Sequence, residues 1–256
     1  MLDNYNHKFT LPKGHQVFVP SWRSRRDGAL IQRLVHRRWR TPSYFYHLRS
    51  GGHVAAARRH LSSTIFVRLD ISRFYDSITR AKIHRALRVL GVDHAAAWNI
   101  ARESTVEKTS GAGDFSVPYG FVQSPILSSI ALDRSALGRA MKGINSGRSG
   151  VLISDFVDDV ILSGTALSAV EDARSALIDA AYTSGFEFNS KAEGPAPEIT
   201  VFNLVLSNGT LVVSDAKMAE FEVEVRKGDP AVSTGIITYV WTVNPAQADY
   251  LRTKLP

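Results

Sequence analysis

Three amphipathic helices are predicted by apolar residues that recur at positions i, i+3, i+4 and i+7. We expect Thr79, Ser124 and Thr165 to be their N-caps, because short hydroxyl side chains accept hydrogen bonds from free amides at helix starts. Gly91 and Gly185 are predicted to end the first and third helices. The predicted inward positions are Ile83, Ala86, Leu87, Leu90; Leu127, Ile130, Ala131, Leu137; and Val170, Ala173, Leu177, Ala181.

A buried strand and an acidic hairpin are predicted between these helices. Residues 65–70 (IFVRLD) form a largely apolar run that ends in an acid, which is typical of a strand. The apolar segments 151–153 and 160–162 enclose a polar centre that runs from Asp155 to Asp159. This pattern predicts a β-hairpin that carries carboxylates at its tip.

A second hairpin is predicted near the C-terminus. The dipeptide Asn208-Gly209 is a strong hairpin signal, with strands expected at 199–206 and 210–213. Residues 30–38 and 54–61 have helical patterns. The strands are few and joined by hairpins, so we expect an α+β fold whose antiparallel sheet carries helices on one face.

Composition narrows the class of protein. The chain has 256 residues, of which 44% are hydrophobic and 21% are charged, as in a globular protein. It has no cysteine, which excludes a disulfide scaffold, a thiolate metal site and a cysteine nucleophile. The polar opening MLDNYNHKFT lacks an apolar signal core, and no apolar run reaches the roughly 18–20 residues of a membrane span. We therefore expect a cytoplasmic protein without a membrane partner.

Positive charge is concentrated at the N-terminal end. Residues 1–60 contain 12 Lys and Arg against two Asp, a net charge of +10. The net charge is −2 over residues 61–200 and −1 over residues 201–256. A basic region on an otherwise balanced chain indicates a polyanion partner, either nucleic acid or nucleotide phosphate. A solubilising surface is the alternative.

Asp70, Asp158 and Asp159 are the candidate chemical groups. Adjacent carboxylates repel each other unless a cation neutralises them, and Mg²⁺ prefers carboxylates together with substrate phosphates. Two such ions can activate an attacking oxygen and stabilise a leaving one in phosphoryl transfer. Alternatively, Asp158 and Asp159 are solvated turn residues and Asp70 caps the following helix. The acids alone also fit another nucleotidyltransferase or a metallonuclease.

Five segments in order resemble motifs A to E of reverse transcriptases. They are 70–78 (DISRFYDSI), 117–125 (VPYGFVQSP), 156–159 (FVDD), 185–191 (GFEFNSK) and 201–204 (VFNL) with the Asn-Gly hairpin after it. Residues 51–60 and 235–245 are similar to flanking segments of bacterial retron-type enzymes. The resemblance runs from about residue 40 to the C-terminus. The chain is therefore identified as a member of the bacterial reverse transcriptase family, near the retron-type, abortive-infection and "unknown group" members.

The resemblance implies a right-hand polymerase. Residues 1–64 would form basic fingers, with a further part of the fingers around 91–118. Residues 65–206 would form the palm with motifs A to E. Residues 207–256 would complete the primer-grip hairpin and form a reduced thumb. Because so few residues follow the palm, the resemblance implies a homo-oligomer or a partner protein that helps to hold the substrate.

The resemblance also implies catalytic roles. Asp70, Asp158 and Asp159 would hold two Mg²⁺ ions, for which Mn²⁺ could substitute. Lys191 would protonate or neutralise the leaving pyrophosphate; a solvated loop lysine is the alternative. Tyr75 would exclude a 2′-hydroxyl, unless it is only a core aromatic residue.

Further contacts follow from the same motifs. Gly120 would let the backbone approach the nucleotide. The implied nucleotide contacts are Ile71, Tyr75, Tyr119 and Gly120, and the implied template or primer contacts are Ser124, Pro125 and Val157. The candidates for binding the triphosphate are Arg23, Arg25, Arg26, Arg37, Arg38 and Arg40.

Two positions depart from the family pattern. Tyr119 stands where the family often has a glutamine that contacts the nucleotide, and Asp155 stands where many bacterial members have arginine. We expect Asp155 to be either a salt-bridge partner for an arginine of the fingers or a turn residue.

The resemblance implies an RNA-directed DNA polymerase that adds dNTPs to a primer 3′-hydroxyl, with an antiphage role. Its partners would be an RNA template or structured non-coding RNA, the DNA product and dNTPs. The alternatives are a template-independent or protein-primed DNA polymerase on the same fold, and a non-catalytic RNA-binding scaffold.

Overall fold

The computed structural model describes residues 4–12, 14–108, 111–190 and 192–256. The strands are β1 Tyr5–Thr10, β2 Gln16–Pro20, β3 Ile65–Asp70, β4 Val106–Glu107, β5 Phe115–Ser116, β6 Leu152–Phe156, β7 Asp159–Gly164, β8 Glu193–Ala196, β9 Glu198–Val201, β10 Leu204–Ser207 and β11 Thr210–Val213. The helices are α1 Trp22–Arg38, α2 Gly52–Arg58, α3 Phe74–Ser77, α4 Arg80–Val89, α5 His94–Glu103, α6 Ser124–Asp133, α7 Ala136–Asn145, α8 Leu167–Thr183, α9 Asp215–Arg226, α10 Pro230–Val243 and α11 Pro245–Arg252, with a 3-10 helix at Tyr46–Leu48.

The central sheet has four strands in the order β6-β7-β3-β8. All three strand pairs are antiparallel, and β3 lies opposite β7 with Leu69 facing Val160 and Asp70 facing Asp159. β6 and β7 form the predicted acidic hairpin, with only Val157 and Asp158 between the strands. The α+β fold with an antiparallel sheet is confirmed.

The two faces of this sheet bury different partners. Val67, Leu69 and Val160 belong to the main core, which they share with the buried sides of α4, α6 and α8. Phe66 and Ile161 point the other way, because successive strand residues face opposite sides. They pack with α2, β9–β11 and the C-terminal helices in a second core cluster. Helices therefore lie on both faces of the sheet, and the expectation of helices on one face is wrong in this respect.

The predicted inward faces of α4 and α8 are buried, apart from the partly buried Leu90, but two of the three predicted N-caps are wrong. Thr79 accepts a hydrogen bond from the amide of Lys82 and caps α4 as expected. Ser124 instead lies inside the first turn of α6, and its hydroxyl donates to the carbonyl of Pro118. α8 starts after Ala166 with no side-chain cap, so Thr165 lies outside the cap position. The two predictions fail because the local sequence pattern does not show which other hydrogen bonds a serine or threonine makes in the loop before a helix.

α6 is buried on every side rather than amphipathic. Nine of its ten residues are buried, including Ser128, Ser129 and Asp133. Leu137 was expected on this helix but belongs to α7, which begins after Ser135 and is capped by that serine. The break between α6 and α7 turns the chain so that Leu137 still reaches the main core.

The C-terminal region contains one more strand than the sequence pattern predicts. Residues 199–206 do not form one strand, because Phe202 and Asn203 both have positive φ and make a tight turn between β9 and β10. Asn208 and Gly209 make the predicted second turn between β10 and β11. Helices α9, α10 and α11 follow and pack on this three-stranded sheet.

The N-terminal region forms a hairpin that the sequence pattern did not predict. β1 pairs with β2, and β2 lies next to the loop before α6, where the amide of Phe18 donates to the carbonyl of Tyr119 at 2.9 Å. The basic helix α1 follows directly, with Ser21 accepting the amide of Ser24. Across the described part of the chain, no helix combines the length and apolar character needed to cross a bilayer.

Candidate active site

The three candidate acids meet at one end of the central sheet. Asp70 is the last residue of β3 and lies opposite Asp159, the first residue of β7. Asp158 occupies the turn before β7, and its carbonyl accepts the amide of Ile71 at 2.8 Å. The antiparallel register therefore brings together acids that are about ninety residues apart in sequence.

The carboxyl groups of Asp70, Asp158 and Asp159 are partly buried and repel one another. Burial, together with the charges of Asp159 and Asp70, raises the pKa of Asp158 to about 6. Burial also raises the pKa of Asp159, although Arg68 opposes this effect. Asp155 is fully buried on β6, and its pKa is raised well above the usual range, first by burial and then by Asp158 and Asp159. Asp155 is therefore neither a turn residue nor part of an arginine salt bridge.

The oxygen-rich donor set fits a hard divalent cation. No group of three acidic, histidine or cysteine side chains is preformed as a metal cage within the described ranges. Mg²⁺ does not need such a cage, because it commonly binds one or two carboxylates and completes its shell with water and substrate phosphates. The mutual repulsion of Asp70, Asp158 and Asp159 is what such a cation would relieve.

Arg68 is a site residue that the sequence analysis missed. Its Nε and Nη2 atoms each lie 3.0 Å from Oδ1 of Asp159. Its Nη1 donates to the carbonyl of Thr200 on β9 at 3.1 Å. Arg68 thus orients one acid and ties the acid end of the sheet to the C-terminal strands. Its place two residues before Asp70 was the available signal, since alternate strand residues share a face.

The turn that carries Asp158 has an unusual backbone. Val157 has a φ of 68°, which is a left-handed conformation that β-branched residues rarely adopt. Its side chain is partly buried against the main core. Such strain persists only when the surroundings hold it in place, and it is concentrated at functional sites.

Tyr75 and Tyr119 form a perpendicular ring pair beside the acids. Their ring centroids are 4.7 Å apart, and Tyr75 is 8% exposed. Burial, followed by the charge of Asp158 and then those of Asp76 and Asp70, raises the pKa of Tyr119 to about 12. The pKa of Tyr75 is also raised, by burial, by Tyr119 and by Asp158. The two phenols therefore lie close to the acids as well as to each other.

Gly120 is required by the packing of the N-terminal hairpin. Its φ is 102°, and a Cβ atom there would lie 2.3 Å from the carbonyl oxygen of Phe18. Two residues before it, the carbonyl of Pro118 accepts the hydroxyl of Ser124, and Pro125 follows in the first turn of α6. This loop therefore joins β2 to the helix that underlies the sheet.

A polar cavity of about 680 Å³ opens beside the tyrosine pair. Its basic lining groups within the described ranges are His15, Arg73 and Lys108, and Lys108 pairs with Asp76 at 2.8 Å. None of the six N-terminal arginines named as triphosphate candidates lines it within those ranges. Arg23 and Arg26 instead pair with Asp27.

The segment predicted as motif D runs along the end of β3. The amide of Ser72 donates to the carbonyl of Glu187, and the amide of Asn189 donates to the carbonyl of Asp70 at 2.8 Å. Glu187 also lines the cavity. Lys191 lies outside the described residues, so its predicted role stays a prediction.

A palm-like antiparallel sheet, with acids at one end and a glycine–serine–proline loop beside them, defines a right-hand polymerase. The family model described as "Reverse transcriptase (RNA-dependent DNA polymerase)" matches residues 12–191, and the chain belongs to this family.

Two curated relatives are retron enzymes. The chain is 29% identical over 222 residues to the retron Mx65 reverse transcriptase of Myxococcus xanthus, covering 77% of this chain and 51% of that protein. It is 26% identical over 172 residues to the retron Ec86 reverse transcriptase of Escherichia coli, covering 66% of this chain and 51% of that protein. The matched region thus spans about half the length of each relative.

Solved structures share the fold at low identity. A Candida albicans telomerase in complex with a fragment of telomeric RNA has a TM-score of 0.56 at 11% identity, covering 89% of this chain and 46% of that chain. A foamy viral protease-reverse transcriptase in complex with an RNA/DNA hybrid has a TM-score of 0.51 at 12% identity, covering 91% of this chain and 26% of that chain. These likenesses concern the fold alone.

Proposed function

We propose that the chain is an RNA-directed DNA polymerase that adds dNTPs to a primer 3′-hydroxyl. The observation that carries this proposal is the meeting of Asp70, Asp158 and Asp159 at the end of the palm sheet, in a chain of the reverse transcriptase family. Their partly buried, mutually repelling carboxyls would hold two Mg²⁺ ions, or Mn²⁺ in their place. Bound ions would activate the attacking oxygen and stabilise the leaving one.

We assign the polar cavity to the incoming nucleotide. Arg73 and Lys108 are the cationic lining groups that would meet a triphosphate. Asp76, which pairs with Lys108, and the other lining acids Asp114 and Glu187 would be neutralised by the ions that accompany the triphosphate.

Tyr119 lines the cavity and Tyr75 packs against it from behind, so the sugar would meet an aromatic wall. The aromatic wall favours a sugar without a 2′-hydroxyl. The carbonyl oxygen of Ile71 would assist the three acids in holding the metal ions. Gly120 would let the backbone approach the nucleotide closely.

Template and primer would lie along the loop and helix that follow the cavity. Ser124 and Pro125 begin α6 next to that loop, and Val157 occupies the turn where the primer end would approach. The basic helix α1, with Arg25, Arg37 and other exposed arginines, would attract the template backbone. Lys191 would assist departure of pyrophosphate.

The proposed partners are an RNA template or structured non-coding RNA and the DNA product. We also propose an antiphage role, supported by the names of the retron relatives. We further propose that a second copy of the chain or another protein helps to hold the duplex. We place the domain boundaries at residues 64 and 206, between fingers, palm and a reduced thumb.

Primer extension by the purified, RNase-treated chain tests this function. We expect Mg²⁺-dependent copying of an RNA template into DNA, and a clear preference for dNTPs over rNTPs. Asp158→Asn should abolish synthesis, whereas Asp172→Asn on the exposed side of α8 should leave it unchanged. Homopolymer made from one dNTP without template would support the template-independent alternative instead.

The antiphage role needs a separate test in cells. Replacement of both Asp158 and Asp159 by alanine should remove protection from phage if synthesis is the biological function. Unchanged protection in that variant, at equal protein level, would favour the non-catalytic RNA-binding scaffold.

A further inference from the structure

The acid-bearing turn is held by a side chain that comes from outside the palm motifs. His47 lies in the 3-10 helix Tyr46–Leu48, and its Nδ1 accepts the amide of Val157 at 3.1 Å. Val157 is the residue with the left-handed backbone, and Asp158 follows it. The hydrogen bond therefore fixes the strained peptide immediately before a candidate metal ligand.

The other ring nitrogen of His47 anchors it to the helix under the sheet. Nε2 lies 2.7 Å from Oγ of Ser129, and that hydroxyl donates to the carbonyl of Pro125 at 2.8 Å. Because Ser129 uses its proton for Pro125, the imidazole donates through Nε2–H and accepts through Nδ1. A continuous chain of hydrogen bonds thus runs from the start of α6 to the turn.

The imidazole of His47 is enclosed by aromatic rings, and its Nδ1 also lies 3.5 Å from Oδ1 of the buried Asp155. The His47 side chain is 6% exposed and lies between the rings of Phe45 and Phe156, at centroid distances of 5.7 Å and 6.1 Å. The backbone of the same segment is paired with β6, since the carbonyl of Tyr44 accepts the amide of Asp155 at 2.8 Å. Burial lowers the pKa of His47 to about 4, so the ring is a neutral acceptor at neutral pH.

We propose that His47 is a positioning residue of the active site, which sets the Val157–Asp158 peptide so that the Asp158 carboxylate and the Val157 side chain meet the metal and primer end. This inference rests on the proposed polymerase function for its catalytic consequence. Its structural content, the acceptor at Val157, stands independently. What distinguishes His47 from a histidine that only fills the core is its partner, because one ring nitrogen binds the peptide next to a candidate metal ligand.

Two substitutions distinguish the hydrogen bond to the Val157 amide from the hydrogen bond to Ser129. In His47→Asn the side-chain oxygen reaches the place of Nδ1 and can accept the Val157 amide, but the link to Ser129 is lost. In His47→Gln the longer amide reaches Ser129 and removes the acceptor from the place of Nδ1. Both substitutions put a neutral polar amide at the same buried site, so each controls for the loss of imidazole.

The first readout is the Val157 amide itself, followed by hydrogen exchange in protein labelled with ¹⁵N-valine. We expect exchange at Val157 to quicken at least about tenfold in His47→Gln and to stay near wild type in His47→Asn. Exchange at Val160, inside β7, should be unchanged in both. Unaltered exchange at Val157 in His47→Gln would overturn the inference, whether or not the chain proves to be a polymerase.

The second readout is single-nucleotide addition. His47→Gln should lower kcat about 10-fold or more and raise the Mg²⁺ concentration for half-maximal rate, with little change in KM for dNTP. His47→Asn should recover most of kcat. Equal loss of rate in both variants, in step with a lowered thermal midpoint, would mean a purely structural histidine. If the wild-type chain shows no activity, the proposed function is contradicted. The hydrogen-exchange result at Val157 would still test whether His47 holds this amide.

Discussion

Two polar groups on the same β6–β7 hairpin differ in how fully their hydrogen bonds are satisfied. On the face toward α2, the buried ring of His60 lies 2.6 Å from Oγ of Ser163 and 2.8 Å from Oγ of Ser154, and Ser163 also reaches Ser63. On the opposite face of β6, neither carboxyl oxygen of the buried Asp155 has a hydrogen-bond partner among the described residues. The first group is a closed network, and the second is an unbalanced cluster of acids.

This difference distinguishes buried polar groups that stabilise the fold from buried polar groups that await a ligand. A buried network with every atom paired stabilises one arrangement and needs no ligand. Buried carboxyls that repel one another cost stability and persist where a cation or substrate can neutralise them. Burial also shifts the pKa values of the two groups in opposite directions. It lowers the pKa of His60 to about 3 and raises the pKa of Asp158 to about 6.

The largest expected effect is on activity at the acid cluster. Asp158→Asn should reduce primer extension by at least about 1000-fold, since metal-borne charge stabilisation contributes several kcal/mol. Without metal, the same variant should unfold at a higher temperature than wild type, because one repelling charge is gone. Rate and thermal unfolding measured on one preparation check both parts. A variant that loses activity and stability together would mean that Asp158 supports the fold in the same way as the His60 network.

The next effect is on stability at the closed network. His60→Leu should lower the free energy of unfolding by about 3 kcal/mol, because the serine hydroxyls lose their buried partner. Urea unfolding provides the measurement, with the exposed His36→Leu on α1 as the matched control. Single-turnover rates per folded molecule should stay close to wild type. A large fall in that rate would place His60 in the catalytic machinery.

The two groups should respond to acid in opposite directions. The pKa of His60 is below that of an unfolded histidine, so the unfolded chain binds more protons between about pH 6.5 and pH 3, and this contribution to stability is lost as pH falls. The pKa of Asp158 is above the unfolded value, so its folded form takes up the proton first and its contribution rises as pH falls from about 6 to about 4.

Unfolding free energies from pH 7 to pH 4 test these signs. Each group should change the slope by up to about 1.4 kcal/mol per pH unit. His60→Gln should therefore make the chain less sensitive to acid, and Asp158→Asn should make it more sensitive, both without metal. The same sign in both variants would refute the opposed roles.

The smallest expected effect concerns Arg68, which balances part of the acid cluster. Arg68→Lys keeps the charge but removes the paired approach of Nε and Nη2 to Oδ1 of Asp159, so kcat should fall about threefold to tenfold. Titration of rate against Mg²⁺ should show a shifted midpoint, while Arg85→Lys on the exposed side of α4 should show none. An unchanged midpoint in Arg68→Lys would mean that Asp159 does not need this orientation.

Local patterns predicted much of the palm. The apolar runs around Asp70 and Asp158 predicted both the strand and the hairpin, because burial of alternate or continuous apolar residues depends on nearby sequence. Thr79 was predicted as a cap for the same reason. The same prediction was wrong for Ser124 and Thr165, because the hydrogen bonds of these residues depend on the surrounding loops. The Phe202–Asn203 turn was not predicted, because it contains no glycine.

The sequence by itself determined the chemistry available to this protein: three acids in strand-end positions, a basic N-terminal region and five motifs in the order of the reverse transcriptase family. Only the tertiary structure decided which side chains control those acids. Arg68 reaches Asp159 across paired strands, and His47 reaches the Val157 amide from 110 residues away. Such contacts depend on register and on the close approach of elements, which no spacing within one segment encodes.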